Sequence, residues 1–140
     1  MPYWELYYHM VWATYHREPL ITPALEIAVY HYIRFKCHKL KAYLHAVNGI
    51  EDHIHIIASI PPSCSISTFI GNLKGASSHF ITREYQHEFK WQAGYGVFSL
   101  SQRTLDDAIG YVEKQKVHHS NGTTIARLED ISDDDKHPFD

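Results

Sequence analysis

Hydrophobic and polar positions alternate first with the period of a strand and then with that of a helix, and these changes mark out the elements. Residues 3–14 (YWELYYHMVWAT) are rich in aromatic and β-branched side chains and predict a long first strand. After Pro19, Thr22 offers an N-cap, Pro23 a first helical position, and Glu26 an acid near the positive helix end. That helix is predicted to run to about Lys41, with Leu25, Val29, Tyr32 and Ile33 on one face. Residues 42–47 and 53–60 predict two strands joined as a hairpin. Its turn residues stay open, because Asn48, Gly49, Glu51 and Asp52 all lie in the joint. Pro61 and Pro62 end the third strand. A second helix is predicted over residues 65–85 from the spacing of Ile66, Ile70, Leu73, Ser77, Phe80 and Ile81. A loop over residues 91–96 leads into a short fourth strand, 97–100. A last helix starts near Ser101 and stops around Gly122, where glycine suits a left-handed cap.

The order βαββαβα predicts an α+β fold: a ferredoxin-like antiparallel sheet with helices on one face and an additional C-terminal helix. At 140 residues the chain is expected to form a single domain over residues 1–128, followed by an acidic, flexible tail over 129–140. No apolar stretch approaches the roughly 20 residues that a membrane span needs. The N-terminal residues carry no export signal, and two cysteines without a CxxC pair suit a reducing compartment. A cytoplasmic protein is expected.

The net charge of −3 is unevenly placed. Residues 129–140 hold six acids against Lys136, whereas residues 1–128 hold twelve Lys and Arg against ten Asp and Glu. A mildly basic body permits polynucleotide binding without demanding it.

The candidate chemistry begins with His53 and His55. Two His at i and i+2 on a strand point to the same sheet face, as half of a divalent-metal site would require. With 12 His in the chain, an isolated pair of hydrogen-bonded core histidines is the competing reading. On the last helix, Leu105, Ile109, Val112 and the stem of Lys116 form the predicted buried stripe, and Tyr111 and Gln115 lie about 80–140° round from it. One turn apart, Tyr111 and Gln115 project from one flank and pair a phenol with a ligand-capable amide. A core tyrosine is the competing reading here. Lys74, Ser77, Ser78 and Arg83 on the second helix, with Arg17 in the first loop, are candidate phosphate contacts. Trp91 and Tyr95 are candidate stacking platforms for bases, although aromatics leading into an edge strand also serve packing.

Several segments in order resemble a known family. They are residues 11–14 (VWAT), 47–55 (VNGIEDHIH), 73–78 (LKGASS), 91–99 (WQAGYGVFS) and 111–115 (YVEKQ), the last followed by His118 and His119. The chain resembles the single-tyrosine HUH transposases, which move insertion sequences as single-stranded DNA and include the REP-associated tyrosine transposases. The resemblance implies His53 and His55 as metal ligands, Gln115 as the third protein ligand, Tyr111 as nucleophile, and Mg²⁺ or Mn²⁺ as cofactor. It also implies a 5′-phosphotyrosine intermediate, recognition of hairpin DNA, and homodimers with composite active sites. Glu51 stands where proline is frequent in the family, and the acidic tail is not a family hallmark; neither touches the catalytic set. A non-catalytic, RRM-like nucleic-acid-binding module would share the βαββαβ core but would need neither the His pair nor Tyr111 with Gln115. A zinc hydrolase would leave Tyr111 idle.

Overall fold

The computed structural model describes residues 3–131. Its strands are β1 (Tyr7–Ala13), β2 (Tyr43–Ile50), β3 (His53–Ser59) and β4 (Gly96–Leu100); its helices are α1 (Pro23–Lys39), α2 (Ile66–Tyr85), α3 (Gln102–Glu113) and α4 (Gln115–Asn121). The strands form one antiparallel sheet in the order β2-β3-β1-β4, the ferredoxin-like arrangement expected from the element order. No helix among the described residues is long and apolar enough to cross a membrane.

Most element boundaries follow from local chemistry. The Thr22 hydroxyl accepts from the Leu25 amide at the start of α1, and Ser65 does the same for Thr68 at the start of α2. Ser101 and Thr104 form a capping box on α3, and Gly122 ends α4 in the left-handed region. The hairpin turn is Glu51 and Asp52, with Asn48 and Gly49 inside β2. Gly49 has no room for a side chain there: a Cβ would lie 2.2 Å from the His53 carbonyl oxygen.

Two differences from the sequence reading matter. The first strand begins at Tyr7 rather than Tyr3, because only from Tyr7 does β1 find partners on β4 and β3. The predicted last helix is two helices, broken at Lys114 (φ −104°, ψ 23°). Lys116 therefore leaves the predicted buried stripe and reaches across the surface to Glu26, the Asn48 side chain and the Gly49 carbonyl.

Side-chain alternation divides the sheet. On one face Met10, Trp12, Ile54, Ile56 and Ala58 pack under α1 and α2 with Val29, Ile33, Leu73 and Ile81. Burying each such large apolar side chain contributes about 1.5–3 kcal/mol. The other face carries Ala46 and Ile57, covered by Ala108 and Val112 of α3. On that same face lie His9, His53 and His55, since His9 pairs with Ile57 and His55 with Asn48 across the ladders.

The packing under α2 corrects two sequence assignments. Ser77 is fully buried, donating to the Leu73 carbonyl and accepting from the Trp91 indole N–H at 2.9 Å. Trp91 packs edge-on against Trp12 and Phe89. Neither is a surface for phosphate or bases: Ser77 is the buried member of the Gly75–Ala76–Ser77 stretch, and the indole packs against it under α2. Ser77→Ala is expected to lower stability by about 1–3 kcal/mol, by leaving a buried indole N–H without an acceptor. Urea unfolding checks this, and an unchanged midpoint would remove Ser77 from the core account.

Candidate active site

β3 delivers two imidazoles to one place. The rings of His53 and His55 are 5.1 Å apart between centroids, and both are buried. Asp52, in the hairpin turn, accepts from His53 Nδ1 at 2.8 Å, which fixes the tautomer and turns Nε2 into the site. His55 Nδ1 meets His9 Nε2 of the neighbouring strand at 2.8 Å. Its Nε2 is buried and makes no hydrogen bond of acceptable geometry, although Glu129 Oε2 lies 2.8 Å away. A buried ring nitrogen with no hydrogen-bond partner of its own, oriented by a contact on its other nitrogen, suits a metal ligand.

α3 and α4 close over this pair. Ala108, Tyr111, Val112 and Gln115 are the buried positions, spaced i, i+3, i+4, i+7. Tyr111 is thus within the buried face at 6% exposure and not on its flank, a correction to the sequence reading. The hydrophobic pattern misplaces the stripe because segments beyond α3 supply the phenol and the amide with buried partners, Glu129 and the Ile125 amide for one and His119 for the other. The Tyr111 ring stacks on His118 at 4.7 Å and stands 6.0 Å from the His55 ring. Gln115 is fully buried; its Oε1 lies 3.1 Å from His119 Nε2.

The remaining member arrives from beyond α4. Ala126–Glu129 form a single 3-10 turn that carries Glu129 back into the site. Its Oε1 lies 3.1 Å from His53 Nε2 and 2.9 Å from His119 Nε2, and its Oε2 accepts from the Tyr111 hydroxyl at 2.9 Å. The Ile125 amide donates to the same hydroxyl at 3.0 Å. His53, His55, His119 and Glu129 thus present one ligand atom each, all within 4.8 Å of one another, a spacing that suits one metal ion.

The electrostatics follow the contacts. Burial resists charge on Glu129, but the close contacts with the His53 and His55 rings outweigh it and hold the carboxyl well below the usual range. Burial likewise opposes protonation of His53, yet Glu129 and Asp52 together raise its pKa. For His55 burial wins and the pKa falls; for His9, buried and beside His55, it falls to about 3. Burial raises the Tyr111 phenol, and its bond to Glu129 adds to the effect. The phenol is therefore a weak nucleophile until something stabilises its anion.

Of the residues singled out in the sequence, the fold brings together His53, His55, Tyr111 and Gln115. Arg17, exposed, stands at the rim, 3.8 Å from the Asp52 carboxylate. Lys74, Ser77, Ser78 and Arg83 are on α2, across the sheet from the histidines. Lys74 is half-buried and ties down the following loop by donating to the Gln92 and Gly94 carbonyls. Tyr95 packs against the same core as Trp91. Three residues of the cluster escaped the sequence reading. His119 follows Gln115 by one helical turn, a usable signal; His9 is a polar residue in an apolar strand, a weaker one. Glu129 opens what reads as an acidic tail and gave none. The tail assignment fails at its first residue, and residues 132–140 lie outside the described residues.

Residues 2–115 match the sequence model of a family described as "Transposase IS200 like". The transposase for insertion sequence element IS200 of Salmonella typhimurium is 30% identical over 108 residues, covering 72% of this chain and 71% of that protein. The ISDra2 transposase TnpA of Deinococcus radiodurans is 25% identical over 127 residues, covering 80% of this chain and 85% of that one. Among solved structures, a Deinococcus radiodurans protein assigned as a transposase superposes with a TM-score of 0.68 at 24% identity, over 82% of this chain and 95% of that one. A REP-associated tyrosine transposase bound to a REP hairpin superposes with a TM-score of 0.65 at 14% identity, over 89% and 76%. These two likenesses show the fold.

Proposed function

Since the chain belongs to the IS200-like transposase family, we propose that it cuts and rejoins single-stranded DNA through a covalent link to Tyr111. The observation that carries this reading is a single oxygen position. Glu129 Oε2 lies 2.8 Å from His55 Nε2 and 2.9 Å from the Tyr111 hydroxyl, so a phosphate oxygen placed there would meet both. Attack forms a bond between Tyr111 Oη and phosphorus while the bond to the 3′ oxygen breaks. The phenol proton is lost and the departing oxygen gains one. The 5′-phosphotyrosine conserves the ester, so an incoming 3′-hydroxyl reverses the step without ATP. Tyrosine serves better than water because the cut end must be held.

His53, His55 and Gln115 would hold a divalent cation, with His119 as a further donor. Bound there, such a cation would neutralise charge on the phosphate and favour the phenolate. Mg²⁺ and Mn²⁺ both remain in the reading. A nitrogen-rich donor set favours Mn²⁺ for affinity. Asp52 and His9 orient the two strand histidines, and Arg17 at the rim supplies a phosphate contact.

The substrate is a single strand carrying a hairpin. Incubation of hairpin and fully paired oligonucleotides with the protein and Mn²⁺ is expected to give a protein–DNA adduct on a denaturing gel for the hairpin strand. Binding is expected to be weak at high salt, since the near-neutral body offers few phosphate contacts. Equal or better cleavage of the duplex would contradict the reading, and hydrolysis without adduct would favour a metal hydrolase. The family resemblance implies a homodimer. With composite sites, mixing His55→Ala with Tyr111→Phe protein is expected to restore one working site and its adduct. No recovery, or a strictly monomeric active protein, would mean that each subunit uses its own tyrosine helix.

A further inference from the structure

We infer that the cleft between the start of α1, the β2–β3 turn and α4 is a guanine pocket, in which the Glu51 carboxylate reads an unpaired base beside the scissile phosphate. The inference rests on the reading that the protein acts on single-stranded DNA. The cleft measures about 410 Å³, enough for one nucleoside. His119 lines it and also belongs to the metal-spaced cluster, while Glu51 directly precedes the Asp52 that orients His53. A strand with its phosphate at the cluster therefore brings an adjoining nucleotide to the mouth of the cleft.

The walls favour a base over a phosphate. Ile21, Pro23 and Ile50 offer apolar surface to the face of a ring, and the charged groups are Glu26, Glu51 and Lys116. Lys116 spends its three donors on the Glu26 carboxylate, the Asn48 side chain and the Gly49 carbonyl. It ties α4 to the body of the protein and has no donor left for a phosphate. Glu51 is exposed, on a turn braced by two amides. The Ile21 amide donates to the Glu51 carbonyl at 3.0 Å and the Thr14 amide to that of Asp52 at 2.9 Å. A carboxylate held there repels phosphate and accepts from N–H donors. In a single strand the Watson–Crick edges are open to such contact. Guanine alone presents two parallel donors on that edge, N1–H and an N2 amino hydrogen, which match the two carboxylate oxygens. Cytosine and adenine set a ring-nitrogen lone pair beside their one amino group, and thymine flanks its one N–H with carbonyl oxygens. Each of those bases would turn an acceptor toward Glu51 and be disfavoured.

A hairpin oligonucleotide with randomised unpaired flanks, captured on the protein in excess chelator and sequenced, tests this without any cleavage. Guanine is expected to be enriched at an unpaired position. One oligonucleotide carrying guanine there is then compared with its inosine counterpart, which lacks only the N2 amino group. The protein is expected to bind the guanine strand several-fold more tightly. Glu51→Gln should abolish that ratio, and so should Ser120→Trp, which fills the cleft from its edge without altering charge. A ratio is immune to the general gain in DNA affinity that follows loss of an acidic side chain. Absence of enriched guanine, or a guanine preference that persists in both folded variants, would overturn the inference. Incubating the same library with Mn²⁺ separates the two readings. Adduct at Tyr111 without any guanine preference removes the pocket and keeps the nucleophile. A guanine preference that Glu51→Gln abolishes, in a protein that never forms adduct, keeps the pocket and removes the nucleophile. Capture of no oligonucleotide at all would defeat both.

Discussion

Tyr111→Phe is expected to abolish the covalent protein–DNA species while the protein stays folded. The substitution removes one oxygen and retains the ring that stacks on His118. The lost hydroxyl leaves the Ile125 amide and one Glu129 contact without their partner, but Glu129 keeps its histidines and the exposed Ile125 amide is within reach of water. A stability loss of about 1 kcal/mol is the expected scale. Loss of adduct beyond detection with so small a change in unfolding midpoint separates chemistry from folding. Peptide mapping of the wild-type adduct should place the link at Tyr111. An adduct that persists in Tyr111→Phe, at another of the ten tyrosines, would defeat the assignment.

Replacing both His53 and His55 by Ala should eliminate high-affinity Mn²⁺ binding measured by calorimetry, and with it the cleavage. Asp52→Asn is expected to weaken binding by about 10–100-fold, because it frees the ring that Asp52 orients. Affinity should also fall on acidification. The metal requires neutral imidazole, and the raised pKa of His53 means that protons compete from a higher pH than an unperturbed histidine would allow. In Asp52→Asn one of the contacts that raises His53 is gone, so the onset of that competition should move to lower pH. Unimpaired Mn²⁺ binding in the double-alanine protein would place the metal elsewhere.

Much of this was legible before any coordinates. The cap at Thr22, the helix starts near Ser65 and Ser101, the prolines after β3 and the glycine at 122 act within a few residues, and the helix starts and the final stop they predict are found within a residue or two. The shared face of His53 and His55 follows from strand geometry alone. The sheet order follows from the sequence of elements, since two β-α-β crossings of the same hand around a hairpin place both helices on one face and leave few strand orders.

What the tertiary structure decided lies where distant segments supply each other's partners. A phenol and an amide count as surface residues in a hydrophobic pattern, so Tyr111 and Gln115 were expected beside the buried stripe. They are inside it because Glu129 and the Ile125 amide satisfy the phenol there and His119 meets the amide. Ser77 and Trp91 were expected to meet DNA as a phosphate contact and a stacking platform, but the Trp91 indole donates to Ser77 across 14 residues of chain and the Ser77 hydroxyl donates to the Leu73 carbonyl. Glu129 is the extreme case. It sits 76 residues from His53 in an acidic run indistinguishable from a solvated tail, and the fold makes it the carboxylate that joins three histidines to the tyrosine. The sequence by itself determined the elements, the strand-paired histidines and the family, because those depend on spacing along the chain. The composition of the closed site was left to the tertiary structure, because a buried polar group takes its place from whichever partner satisfies it, and that partner is set by distance in space.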